Sequence, residues 1–294
     1  MAKLAIITVV YKNYTVLEDF MQSILKQKNT QFKLYVVDLT EEPKEITEIL
    51  RGVYPESNRR TQNDKGTQND KSDRVTVLHS HNKGYAHGVN VGLKKAREDG
   101  IEKFCVMNSD TYFEGNFVDS IQSFFTSYPK TIGGGKIYYA KGFEYHKNKY
   151  SPSDLGNVIW FAGGKIDWNH VITSHIGVDE IDDGRYNEEK NVDFLTGCLM
   201  FFDKSVLDSV GFWDESYFLY YEDADWCVRA KKAGIQLVYT PRVILWHKNA
   251  QSTDGAGSNI HTKYQKRNRV KFGLSYAPMR TKLHVLKNLI WNNK

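Results

Sequence analysis

The chain opens on an uninterrupted apolar run, Leu4-Ala5-Ile6-Ile7-Thr8-Val9-Val10, of the β-branched kind that suits a strand covered on both faces and so points to a parallel sheet. After Thr15, a helix-capping residue type, Val16, Leu17, Phe20, Met21, Ile24 and Leu25 recur at helical spacing, and Phe32 to Val37 reads as a second strand ending at Asp38. The alternation continues with a helix near Glu42 to Leu50, a strand Val75 to Ser80, a helix Ala86 to Arg97, a strand Lys103 to Met107 and a helix Phe117 to Phe125. This rhythm predicts an α/β fold with a Rossmann-like, doubly wound, mostly parallel sheet, in which ligands bind beyond the carboxyl ends of the strands.

Two segments depart from the rhythm. Thr61-Gln62-Asn63-Asp64-Lys65-Gly66 is followed by the near copy Thr67-Gln68-Asn69-Asp70-Lys71-Ser72; such polar sequence buries nothing, and residues 55–74 are expected to form a mobile surface loop. After Gly133 the pattern gives way to Gly-, Tyr- and Trp-rich sequence, with Gly133-Gly134-Gly135 and Gly163-Gly164 as turn signals. The expected organisation is one domain over residues 1–250, with a ligand-binding half (1–130) and a substrate-shaping half (131–250), followed by a tail (251–294).

With 294 residues, 40% hydrophobic and 26% charged, the chain belongs to the ordinary globular class and excludes collagen-like or disordered composition. Its apolar runs stop short of the roughly 18 residues of a membrane span, and Met1-Ala2-Lys3 leads straight into strand sequence, so neither a transmembrane helix nor a signal peptide is expected. Cys105, Cys198 and Cys227 stand apart in apolar surroundings, the pattern of free thiols in a reducing cytosol. The net charge of +5 is concentrated: no Asp or Glu follows Asp254, whereas nine Lys and Arg lie from Lys263 to Lys294. Interleaved with Phe272, Leu274, Leu283, Val285, Leu286, Leu289, Ile290 and Trp291, this tail suits an anionic membrane surface; a packed C-terminal helix or an oligomer contact is the alternative.

Four constellations carry candidate chemistry. Asn108-Ser109-Asp110 follows the strand ending at Met107, where a carboxylate can hold Mg²⁺ or Mn²⁺ together with phosphate oxygens, although the same triplet is also good turn composition. Asn82-Lys83-Gly84-Tyr85-Ala86-His87-Gly88-Val89-Asn90-Val91-Gly92 is a strand-to-helix junction where glycines admit either a ligand or close helix–sheet packing, and it matches neither GxGxxG nor GxxxxGK[ST]. Glu222-Asp223-Ala224-Asp225 opens a helix closing at Gly234; three acids exceed what a cap needs, and the aromatic run Phe212 to Tyr221 before them would raise a carboxylate toward a general base's range. Trp246-His247 follows an apolar strand, where a histidine is a core residue or a metal ligand.

Taken in order, Thr8-Val9-Val10-Tyr11, Val36-Val37-Asp38, Asn82-x-Gly84, Met107-Asn108-Ser109-Asp110-Thr111, Phe194-Leu195-Thr196-Gly197-Cys198, Tyr221-Glu222-Asp223-Ala224-Asp225 and Trp246-His247 resemble the family 2 glycosyltransferases, most of all their rhamnosyltransferase-like branch, over residues 3–250. The resemblance implies a GT-A fold and an inverting, metal-dependent transfer from a nucleotide-diphosphate sugar to a glycan or lipid-linked saccharide in cell-surface polysaccharide synthesis. Thr8, Val10, Tyr11, Asp38, Asn82, Gly84, Asn90, Asn108 and Ser109 would then line the nucleotide sugar. Asp110 and His247 would hold Mn²⁺ or Mg²⁺, Asp223 would be the general base, and Gly197, Trp213, Glu222 and Asp225 would face the acceptor. Two positions depart from the family pattern: Asn108 replaces the first acid of the DxD motif, and Asp38 lacks the usual Asn-x-Ser after it.

Trp160, Trp213 and Tyr217 suit either stacking on sugar rings or core packing. A cytoplasmic enzyme without a nucleic-acid partner is expected, peripheral on the inner face of the plasma membrane if the tail binds lipid. A nucleotidyltransferase, which would need a Gly-rich Lys signature that Tyr11-Lys12-Asn13-Tyr14 does not supply, and a non-catalytic sugar- or nucleotide-binding protein are the rival readings.

Overall fold

The computed structural model describes residues 3–41, 74–249 and 259–291. The expected helix Glu42 to Leu50 and nearly all of the polar loop 55–74 lie outside these residues. In chain order the elements are β1 (Leu4–Val10), α1 (Leu17–Leu25), β2 (Phe32–Asp38), β3 (Val75–His79), α2 (Tyr85–Glu98), β4 (Lys103–Met107), β5 (Thr111–Tyr112), α3 (Phe117–Ser127), β6 (Thr131–Tyr139), β7 (Ile159–Phe161), β8 (Gly164–Asp167), β9 (Ile172–His175), β10 (Lys190–Asn191), β11 (Leu199–Asp203), α4 (Lys204–Val210), α5 (Glu222–Lys232), β12 (Gln236–His247), α6 (Asn259–Tyr276) and α7 (Met279–Trp291).

The sheet runs β10-β12-β6-β11-β4-β1-β2-β3, with β5 on β12 and β7 on β6. Strands β3, β2, β1 and β4 are mutually parallel, whereas β11 is antiparallel to both β4 and β6. The chain leaves β1 toward β2 and β3 and returns to its other side as β4, so the strand order reverses between β1 and β4. Their carboxyl ends frame the crevice where open α/β sheets bind ligands. Strand β1 is buried along nearly its whole length, as its apolar run predicts.

The glycines of the 82–92 junction show why that sequence is so rich in them. A Cβ at Gly88 would lie 2.7 Å from Val9 and one at Gly92 2.4 Å from Ile7, so α2 approaches β1 through its side-chain-free face. Gly133-Gly134-Gly135, expected to form a turn, instead lies inside β6. There a Cβ would meet the Phe201 ring at 2.0 Å, Leu195 at 2.6 Å and the Val243 carbonyl oxygen at 2.2 Å. Bulky neighbours, not a chain reversal, demand glycine. Helix α1 starts at Leu17, and the Thr15 hydroxyl bonds to Asn13 rather than capping it.

The C-terminal region divides in two. Helix α6 packs on the body through the buried Asn268 and Phe272, the latter stacked on Trp168 at 5.4 Å. Among the described side chains of helix α7, Met279, Leu283, Leu286 and Leu289 are exposed. No helix among the described residues is long and apolar enough to cross a membrane.

Candidate active site

Three groups of side chains surround the crevice. At the ends of β1 and β2, Asp38 is fully buried and accepts hydrogen bonds from the Tyr14 hydroxyl (2.9 Å) and the Thr40 backbone N–H (2.9 Å), with His79 Nδ1 3.7 Å away. Tyr11 is half-buried beside it. Asn82 accepts from the Gly84 N–H (3.1 Å), and Gly84, at φ +102°, packs so tightly that a Cβ would lie 2.2 Å from the Phe218 carbonyl oxygen. Only glycine fits there on both counts. Thr8 and Val10 are buried within β1, the Thr8 hydroxyl without a hydrogen-bond partner among the described residues.

The second group lies at the end of β4. Asn108 donates its backbone N–H to the Cys198 carbonyl (3.1 Å), Ser109 and Asp110 are buried, and Asp110 Oδ1 lies 3.2 Å from His247 Nε2 at the end of β12. Pairing of β5 with β12, His247 opposite Thr111, brings together two residues that are 137 positions apart in the chain. The Trp160 ring covers the imidazole edge-on at 4.5 Å, and His247 Nδ1 is buried without a hydrogen-bond partner among the described residues. One carboxylate and one imidazole on a single point, without a third His, Cys, Asp or Glu to form a larger cluster among the described residues, fit a divalent ion that completes its coordination with phosphate oxygens and water. An all-protein cage for such an ion would need more donors.

The third group is the start of α5. Asp223 accepts from the Gly197 N–H (2.9 Å) and the Ala224 N–H (2.8 Å), one on each oxygen. Glu222 is buried, with Oε2 lacking a hydrogen-bond partner among the described residues. Burial raises both carboxyl groups above their ordinary range, Glu222 far above it, with the adjacent Asp223 adding to the effect. Because N–H donors favour the ionised form and only Asp223 has a donor on each oxygen, the negative charge of the pair resides on Asp223. The acids are delivered by strained backbone: Tyr220 and Tyr221 both sit in the left-handed region, at φ +69° and +70°.

Gly197-Cys198 joins the second and third groups, since Cys198 accepts from Asn108 while Gly197 donates to Asp223. Tyr85 spans them as well. Its hydroxyl donates to the Gly197 carbonyl (2.9 Å), and burial, then the nearby Cys198, Glu222, Asp223 and Asp110, push its ionisation well up. In the sequence Tyr85 stands among glycines and asparagines and Tyr14 is an aromatic in a turn, so neither carries a local signal of its role.

Four candidate contact residues are engaged within the protein. Both amide protons of Asn90 are engaged, by the Trp213 carbonyl and Glu215, and its oxygen accepts from the Trp213 N–H, so this side chain ties α2 to the segment before α5. Trp213 is only 2% exposed and Tyr217 is fully buried; both rings pack in the core. Asp225 is buried between Arg229 (2.8 Å) and the Tyr276 hydroxyl (2.6 Å), a clasp between α5 and α6. Glu222 and Gly197, by contrast, stand directly against Asp223.

Comparison with known proteins gives the family and the fold. The profile of the family described as "Glycosyltransferase like family 2" matches residues 2–268. A low-salt glycan biosynthesis hexosyltransferase, Agl10, of Haloferax volcanii is 24% identical over 157 residues, 53% of this chain and 46% of that protein. The dTDP-rhamnosyl transferase RfbF of Shigella flexneri is 24% identical over 212 residues, 70% and 64% of the two chains. The chain thus spans about half to two thirds of the length of these relatives. Among solved structures, GalNAc-T7 with UDP, GalNAc and Mn²⁺ superposes with a TM-score of 0.61 at 12% identity, over 83% of this chain and 43% of the other, which gives the fold as GT-A.

Proposed function

The chain belongs to glycosyltransferase-like family 2, and on that premise we propose that it is an inverting, metal-dependent glycosyltransferase, moving a sugar, rhamnose in the first instance, from a nucleotide-diphosphate donor to a hydroxyl of a glycan or lipid-linked saccharide in cell-surface polysaccharide synthesis. The observation that carries this reading is the pairing of two differently built acid sites joined through Gly197-Cys198: Asp110 with His247, and Asp223 held by two N–H groups beside a buried Glu222.

In this reading Asp38 and the Asn82–Gly84 turn hold the nucleotide, and the donor diphosphate lies toward Asp110 and His247. Asp110 and His247 would hold a divalent cation, Mn²⁺ or Mg²⁺, which would neutralise the charge that grows on the departing diphosphate. Asp223 accepts the proton of the acceptor hydroxyl as its oxygen bonds to the anomeric carbon. The bond from that carbon to the diphosphate oxygen breaks, its electron pair leaving with the nucleoside diphosphate. Attack from the face opposite the leaving group inverts the configuration. Each Asp223 oxygen keeps a lone pair beyond its N–H bond for this purpose.

The test begins with thermal stabilisation of the protein by a panel of nucleotide sugars with and without Mn²⁺, dTDP-rhamnose first, and is completed by Asp110→Ala. A metal-dependent shift with one donor, abolished in the variant, is the expected result. Unchanged Mn²⁺-dependent affinity for the nucleoside diphosphate in Asp110→Ala would end the metal assignment.

A further inference from the structure

We propose that the outer face of α7 docks the protein on an anionic lipid surface, and that α6 belongs to the catalytic body instead. Part of the basic tail serves packing: two cations of α6 bind the body, and Lys282 of α7 donates to the Ser275 carbonyl (3.3 Å). On α6, Lys271 bonds to Asp214 (2.8 Å) and lies 3.6 Å from the Tyr217 ring centre, while Arg269 donates to the His170 carbonyl. These charges hold the helix to the body. On α7 the inward side is Thr281, 7% exposed, and Val285, packed against the core.

The opposite side carries Met279, Leu283 and Leu286, 71%, 60% and 43% exposed. Their spacing of four and three residues stacks them in one stripe along the helix. At 100° per residue, Arg280 and Lys287 fall on one flank of that stripe and Lys282 on the other. No acidic residue occurs in α6 or α7.

An apolar stripe with cations on both flanks matches the layering of a membrane interface, acyl chains beneath and anionic headgroups to either side. A protein partner would need acidic residues on both sides of an apolar groove; a bilayer supplies that arrangement at every point. Charge complementarity therefore selects anionic lipid as the occupant. The surface goes beyond the sugar-transfer reading and uses none of the crevice acids, so either can fail without the other.

The experiment is flotation of the full chain with phosphatidylglycerol-rich vesicles and with pure phosphatidylcholine vesicles, at low and at high salt. Binding to the anionic vesicles alone, weakened by salt, is expected. The doubly substituted Leu283→Glu, Leu286→Glu chain should lose about tenfold or more in vesicle affinity, and Arg280→Gln should lose about fivefold. Both changes lie at exposed positions, and an unchanged circular dichroism melt certifies the fold. Equal binding to neutral vesicles, retention of vesicle binding in the double variant, or a self-associated wild type that becomes monomeric in that variant without ever floating would each overturn the proposal, the last in favour of a second copy of this chain as occupant.

Discussion

The two acid sites reach the crevice by different means. Asp110 follows directly from β4, whose neighbours β1 and β11 fix it on both sides, and His247 ends β12 in register with β5 and β6. Position there is a by-product of a sheet ladder. Glu222 and Asp223 begin a helix preceded by two residues at positive φ, a conformation costing on the order of 1–3 kcal/mol per residue. Something outside the local sequence must hold it. Asn268 on α6, 1% exposed, donates one amide group to two successive carbonyls, Leu219 (2.8 Å) and Tyr220 (3.0 Å). Tyr264 stacks on Phe218, and Phe272 packs on Tyr221. A strand end is a rigid mount by construction, whereas a strained helix start needs a brace from elsewhere in the chain.

The most damaging way to probe the contrast is Asp223→Asn. An amide keeps the shape and can still accept from the Gly197 N–H, but it cannot take the hydroxyl proton, so turnover should fall by about 10²–10⁴-fold. Nucleotide-sugar binding, which the proposed function assigns to the strand-end site, should stay within about twofold. Steady-state transfer combined with donor titration checks this. Near-wild-type turnover would place the base elsewhere.

The contrast also explains what could be read from the sequence. The parallel strands β1 to β4, the α/β class and the acids where β2 and β4 stop were legible because each rests on a local signal: an apolar run, then a polar residue where it ends. Gly133-Gly134-Gly135 was misleading because its reason is the Phe201 ring on another strand. The roles of Asn90, Trp213 and Asp225 were equally hidden, since each is decided by a partner at least 50 positions away or by burial that composition does not reveal. Asn268 sits in a basic stretch whose charge conceals one buried amide.

A smaller effect is expected from removing the brace. Asn268→Ala takes away the donor to both carbonyls and leaves the Asp110 site untouched, so kcat should fall by about tenfold while donor KM stays within about twofold. Asn268→Asp, which retains size but has no proton to donate, should behave like the alanine variant. A loss shared equally between kcat and donor KM, or a functional Asp variant, would show that α6 supports the whole crevice and not the helix start in particular.

The mildest change is Glu222→Gln, and its sign is the informative part. Burial raises the folded-state ionisation of Glu222 well above the ordinary value of 4.5. A carboxyl raised in this way binds its proton more tightly in the native protein than in the unfolded chain. Its stability contribution is therefore complete below about pH 4.5 and is lost as pH climbs through the folded-state value. Glutamine escapes that loss, being neutral at every pH. At pH 5 the two proteins should melt within about 1 °C of each other, whereas at pH 8 the variant should melt higher by about 2 °C, the scale expected when about 1 kcal/mol is recovered in a domain of this size. A melting difference that shrinks with rising pH, or a variant less stable at pH 8, would mean that the ionised Glu222 is held by a favourable partner. The strained helix start would then be charged on both acids instead of on Asp223 alone.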